Sequence, residues 1–175
     1  MAVHRPELLD ALEAAPQTRL SVAAWRHMFG RTPPDRENTA GARWNPPGVA
    51  ALYLSCTRDG AIAEGDHAIA VQPLRPKARR RIYEVRLTLQ KVVDLRAASD
   101  FAATGLTQAD LGDDDHARCQ ELGAAIDWMG YDGLLVASAR SDADNLVIYP
   151  AQASASARFD YDSGEAYEPE TKGYS

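Results

Sequence analysis

Cysteine is scarce in this chain: Cys56 and Cys119 are the only two, far apart and with no Cys-x-x-Cys spacing. With four histidines in all, that excludes a disulfide framework and argues against a structural zinc site. Both thiols read as small buried apolar groups. No apolar run approaches the roughly 20 residues that span a bilayer. The start, Met1-Ala2-Val3-His4-Arg5-Pro6-Glu7, lacks the apolar stretch of a secretory signal, so no membrane is expected and the expected compartment is the cytoplasm. Positive charge is not in excess either. A formal net charge of −6 argues against direct nucleic-acid binding, which calls for a basic face. One run opposes that balance, Arg75-Pro76-Lys77-Ala78-Arg79-Arg80-Arg81; it could hold a phosphate or an acidic partner, and its commoner reading is a solvated loop entering a strand. No Gly-x-Gly-x-x-Gly follows a strand, so the fingerprint of a Rossmann-bound redox carrier is missing.

What is present is ordinary globular material. At 175 residues, 45% hydrophobic and 25% charged, the chain can bury a core of its own as a single domain. Leu8, Leu9 and Leu12 at helical spacing after Pro6 predict a short amphipathic helix, an N-terminal helical extension over residues 1–20. Ser21 to His27 reads as a strand, and the glycine- and proline-rich stretch 30–39 as loop. Asn45-Pro46-Pro47-Gly48 is a stiff turn, in which glycine supplies a positive φ. Val49 to Ser55 is a short apolar strand. Thr57 is an N-cap for a helix whose Ile62 and Ile69 form its apolar stripe.

Further on, Ile82, Val85, Leu87 and Leu89 punctuate a half-buried strand that Val92 to Leu95 prolongs. Short helices or turns fill 96–112. Asp113-Asp114-Asp115 is better placed to cap a helix over about 116–129 than to bind metal, because no histidine and carboxylate array surrounds it. Leu134 to Ala137 and Asn145 to Pro150 are two more strands, with turns at Gly130-Tyr131-Asp132-Gly133 and Asp142-Ala143-Asp144. Polar, acidic residues from 156 to 175 predict a C-terminal tail, poorly ordered or partner-binding. The whole is α+β: one mixed central β-sheet flanked by helices.

The functional signal concentrates between Gly41 and Glu64, where a cation (Arg43), an aromatic (Tyr53) and a carboxylate (Glu64) lie on a loop, a strand and a helix in close succession. Glu64, embedded among Ala61, Ile62 and Ala63, is poorly placed for an idle carboxylate. Taken singly, each has a structural reading. Arg43 and Glu64 form a salt bridge, Tyr53 is core, Ser138 caps a turn, and Arg26 is a surface arginine.

Taken together, Gly41-Ala42-Arg43-Trp44-Asn45-Pro46-Pro47-Gly48, Leu52-Tyr53-Leu54-Ser55, Ala61-Ile62-Ala63-Glu64, Cys119-Gln120-Glu121-Leu122-Gly123, Tyr131-Asp132-Gly133 and Ser138-Ala139-Arg140 before Asn145-Leu146-Val147-Ile148 resemble the RES domain family, from about Trp25 to Pro150 and in its order. The resemblance implies a fold like that of ADP-ribosyltransferase toxins over residues 21–155. It also implies an NAD+-consuming toxin of a toxin-antitoxin pair, acting as a glycohydrolase or phosphorylase. By the same resemblance Arg43, Glu64 and Ser138 are catalytic, and Arg26, Arg43, Tyr53 and Ser138 bind NAD+. His27 stands where the family often has an aromatic, and Ala42 replaces a common glycine. NAD+ would be substrate rather than cofactor, with water or phosphate as the acceptor, and no metal is expected. The partner would be an Xre-like DNA-binding antitoxin, with a homodimer left open. Protein mono-ADP-ribosyltransferase and non-catalytic nucleotide-binding module are the alternatives.

The chemistry of the groups agrees. Breaking a nicotinamide-ribose bond passes through an oxocarbenium-like state that a carboxylate stabilises. Guanidinium suits a diphosphate better than an ammonium does. A tyrosine ring and a short hydroxyl are ordinary ligand-site groups.

Overall fold

The computed structural model describes residues 3–74, 79–153 and 157–168. Along the chain run α1 (Pro6–Ala14), β1 (Gln17–Phe29), β2 (Leu52–Ser55), α2 (Arg58–Ala70), β3 (Arg80–Asp94), α3 (Ala98–Ala103), α4 (Gln108–Gly112), α5 (Ala117–Trp128), β4 (Gly133–Ala137), β5 (Asp144–Ile148), β6 (Arg158–Tyr161) and β7 (Glu165–Tyr167). This is the α+β single domain with a mixed sheet that the sequence predicts.

The two long strands organise it. β1 and β3 pair antiparallel from Gln17↔Val93 to Phe29↔Arg80, with a register shift between Thr18 and Leu20. The other edge of β3 takes β7, then β6, and at Val92 to Asp94 the parallel strand β4. β4, β5 and β2 follow antiparallel, and β2 returns to β1 at Trp25↔Ser55. The sheet therefore folds over on itself. Leu52, Leu54, Val85, Leu87, Leu135, Leu146 and Ile148 fill the space inside the fold. Val136 and Val147, pointing the other way from β4 and β5, pack with Leu12 of α1 and Leu122 and Ile126 of α5. Each such side chain contributes about 1.5–3 kcal/mol when fully buried, so these two cores fix where the strand ends lie.

Local signals hold. Thr57 Oγ1 accepts from the Gly60 N–H at 3.0 Å and starts α2. Asp115 Oδ1 accepts from the Ala117 N–H at 3.0 Å and starts α5. Gly48 has φ of 93° and donates its N–H to Thr39 O at 2.9 Å, closing the turn at a backbone angle that side chains disfavour. Among the described residues no helix is long and apolar enough to cross a membrane.

Four expectations change. The N-terminal helix is not an extension, because Leu8 and Leu12 sit in the main core and β1 begins at Gln17. The buried face of α2 is Gly60, Ala61 and Gly65, not Ile62 and Ile69; small residues let it lie close to the strands. Within the expected tail, β6 and β7 are sheet strands on β3, satisfied by backbone pairing that polar side chains do not prevent. Residues 169–175 lie outside the described residues, as do Arg75 to Ala78 of the basic run. The rest of that run is not simply solvated: Arg80 is buried, and Arg81 donates to the carbonyls of Ser163 and Gly164.

Candidate functional site

A cavity of about 370 Å³ opens where β1, β2, β5 and α2 converge. That volume lies in the range of small-molecule sites. Arg26 and His27 reach it from β1, Tyr53 and Ser55 from β2, Glu64 and Gly65 from α2, and Asn145 from β5.

Glu64 is held from across the sheet. Ser138 Oγ donates to its Oε1 at 2.9 Å and Asn145 Nδ2 donates to the same oxygen at 3.0 Å. Ser138 follows the last residue of β4, and its Oγ also accepts from the Arg140 N–H at 3.0 Å. Its proton is thus committed to the carboxylate and its lone pair to the turn. Among the described residues no hydrogen bond reaches Glu64 Oε2. The arrangement is an oriented carboxylate with one oxygen tied down, suited to stabilising a developing positive charge.

Two ion pairs help to fasten the helix that carries Glu64. Asp66 Oδ1 lies 2.7 Å from Arg80 Nη2, and Arg58 forms a two-pronged pair with Glu165 of β7, its closer nitrogen at 2.9 Å. The small face of α2 allows the approach, since a Cβ at Gly60 would overlap Ser55 Oγ.

Tyr53 lines the cavity with its ring, while its hydroxyl turns to the Gly41–Gly48 loop. It accepts from the Trp44 N–H at 2.9 Å and donates to Asn45 Oδ1 at 2.6 Å. Asn45 in turn donates to the carbonyls of Asn38 and Val49, so the loop is braced from within. Burial raises the Tyr53 phenol well above its ordinary value, and it stays neutral. The ring is what a ligand can meet.

The two arginines exchange places relative to the sequence reading. Arg43, the first choice, does not line the cavity. Its guanidinium donates to the carbonyls of Asp110 and Asp113 at 2.9 and 3.0 Å, drawn to the exposed carbonyls at the end of α4, as basic side chains commonly are. Arg26, the second choice, is in the cavity wall and only 9% exposed. It donates to the Pro34 carbonyl. Burial lowers its pKa to about 10, with Asp35 acting in the opposite direction, so it remains a cation at neutral pH.

Sequence reasoning placed Glu64, Ser138, Tyr53 and Arg26 in one neighbourhood, and the structure brings these four together; the Arg43–Glu64 salt bridge does not form. It gave Asn145 no role, and it marked His27 only as a departure from the family's aromatic. A signal for Asn145 exists: it shares a strand face with fully buried Val147 and is the polar break in that apolar pattern. The tether on His27 has no such mark, because it comes from Arg80, more than 50 residues away in the chain.

Compared with known proteins, the chain matches the model of the RES domain over residues 12–168. It is 30% identical over 104 residues to proteins named NAD(+) phosphorylase MbcT from Mycobacterium bovis and Mycobacterium tuberculosis, a match covering 57% of this chain and 56% of theirs. The chain thus spans about half the length of the curated relatives it matches. A crystal structure of the M. tuberculosis MbcT-MbcA toxin-antitoxin complex superposes over 94% of both chains with a TM-score of 0.82 at 22% identity. The fold is shared.

Proposed function

The chain belongs to the RES domain family, and from that premise we propose that it is a toxin that degrades NAD+ by breaking the bond between nicotinamide and ribose. The observation that carries this is Glu64, fixed through Oε1 by Ser138 and Asn145 in a cavity that also holds a buried guanidinium and an aromatic ring. Nicotinamide leaves with the bonding electrons as a neutral base, and positive charge develops at ribose C1′. The Glu64 carboxylate stabilises that charge. Arg26 pairs with the diphosphate, and the Tyr53 ring packs on a flat portion of the substrate.

For the acceptor we take phosphate, whose oxygen attacks C1′ to give a phosphorylated ADP-ribose and release a proton. The relatives named NAD(+) phosphorylase support this choice. Water in the same position gives ADP-ribose, the hydrolytic outcome. The partner we propose is an antitoxin that covers the cavity, of the DNA-binding Xre-like kind; the complex of the structurally similar MbcT supports a partner of that role.

Incubating the purified protein with NAD+, with and without phosphate, and following nicotinamide by chromatography and products by phosphorus NMR tests the reading. Nicotinamide release that depends on phosphate, with a new phosphate ester signal, is expected. Release no greater than from Glu64→Ala would overturn the enzymatic reading, and release without phosphate would assign water as the acceptor.

A further inference from the structure

His27 stands in the cavity wall with its surroundings set from three sides. Arg80 donates its Nε–H to His27 Nε2 at 2.7 Å. Phe29 meets the imidazole edge-on, 4.8 Å between centroids. Gly65 of α2 comes so close that a Cβ there would lie 2.5 Å from the His27 Cγ. Arg80 is itself immobilised: it is 6% exposed, paired with Asp66 at 2.7 Å, and stacked over the Tyr167 ring of β7 at 4.7 Å.

A guanidinium only donates. An imidazole nitrogen that faces it must present a lone pair, so the proton of the neutral ring is on Nδ1. We propose that Arg80 is a positioning residue of this site, locking His27 as the neutral Nδ1–H tautomer so that the β1 wall presents an uncharged flat ring to the cationic nicotinamide of NAD+. The ligand in this statement rests on the NAD+ reading above; the tautomer does not.

Charge is the reason the lock matters. The nicotinamide ring is positive until its bond to ribose breaks, and an imidazolium beside it would repel the bound substrate. Burial and the Arg80 charge lower His27 to about 4, while Asp66 of α2 acts in the opposite direction. The other charged groups facing the cavity, Arg26 of β1 and Glu64 of α2, are of opposite sign. Without Arg80 the ring loses both the donor that occupies its lone pair and a like charge nearby. It then titrates nearer the ordinary histidine value.

Two measurements test this. Long-range proton-nitrogen NMR of the full chain, 15N-labelled at histidine, is expected to show His27 as the Nδ1–H tautomer without titration between pH 8 and pH 5. An Nε2–H pattern, or a step near pH 6.5, overturns the proposal. In NAD+ turnover, Arg80→Met is expected to lose kcat/KM between pH 7.5 and pH 5.5, by up to about tenfold, the limit set by a histidine of ordinary pKa, since burial, the larger cause of the low value, remains. The unmodified protein is expected to stay within about twofold, and Arg80→Met in a His27→Phe background is expected to show no added slope. A pH-independent loss in Arg80→Met, or the same slope in the phenylalanine background, also overturns it. If Arg80→Met does not fold, the spectrum of the unmodified protein decides alone. The locked tautomer without nicotinamide release points to failure of the NAD+ reading, and release with an Nε2–H ring to failure of the lock.

Discussion

Replacing Ser138 by alanine removes one of the two hydrogen bonds that end on Glu64 Oε1, at 2.9 and 3.0 Å. A hydrogen bond to a charged group contributes about 1.5–3 kcal/mol, and the lower end applies because Glu64 is only partly buried. Since about 1.4 kcal/mol is a factor of ten in rate, Ser138→Ala is expected to lower kcat for nicotinamide release about tenfold. KM should change little, because the carboxylate is disturbed rather than the contacts that bind substrate. Asn145→Ala should lose a similar factor. Both act through one oxygen, so the double variant should approach Glu64→Ala rather than the product of the single effects. The assay is initial rates at saturating phosphate, with thermal melts to establish that each variant is folded. The decisive comparison is NAD+ affinity by calorimetry in a Glu64→Ala background. Ser138→Ala should leave it unchanged there, and a further loss would show that Ser138 touches substrate directly, refuting the positioning argument.

Three other outcomes are expected. Asn145 has a buried Oδ1 with no hydrogen-bond partner among the described residues, so Asn145→Ala should change unfolding free energy in urea by less than about 1 kcal/mol, the lost bond being offset by relief of that acceptor. A Cβ at position 123 would overlap the Trp44 carbonyl oxygen, which accepts from Tyr149 Oη at 2.9 Å; Gly123→Ala should cost about 1–3 kcal/mol, read as a lower urea midpoint at unchanged slope. His27 has its pKa lowered to about 4 in the folded chain, below an unfolded value of about 6.5. The unfolded state therefore binds more protons between those values, and stability present above pH 6.5 should fall as pH drops toward 4. Urea titrations across that window should show a shallower pH dependence for His27→Phe.

Much of this architecture is written in local pattern. The alternation through Val85, Leu87 and Leu89 is legible because one face of β3 meets an apolar core, which Tyr83 rather than Ile82 continues, and Thr57 and Gly48 are legible because a cap and a positive φ are short-range demands. Glu64, Ser138, Tyr53 and Arg26 were legible because unlike chemical groups stood out within apolar segments or in a family order. β6 and β7 were not, since their pairing is made by backbone while their side chains read as polar tail. The turn of Arg43 toward α4 was not, because the Asp110 and Asp113 carbonyls that draw it are main-chain groups some 70 residues away, invisible in residue type. The grip of α2 was misread for a related reason: periodicity rewards large apolar residues, whereas Gly60, Ala61 and Gly65 act by being small.

That grip has a consequence for the medium in which the protein works. A helix seated by glycine and alanine contributes little water-excluding area, so part of its hold lies in Asp66–Arg80 and Arg58–Glu165. Attraction of this kind depends on dissolved ions, most of all for the exposed outer pair, as the Debye length shrinks from about 8 Å at physiological ionic strength to about 3 Å at 1 M. Osmotic upshift or potassium loading would loosen the seat of the carboxylate before the apolar cores respond.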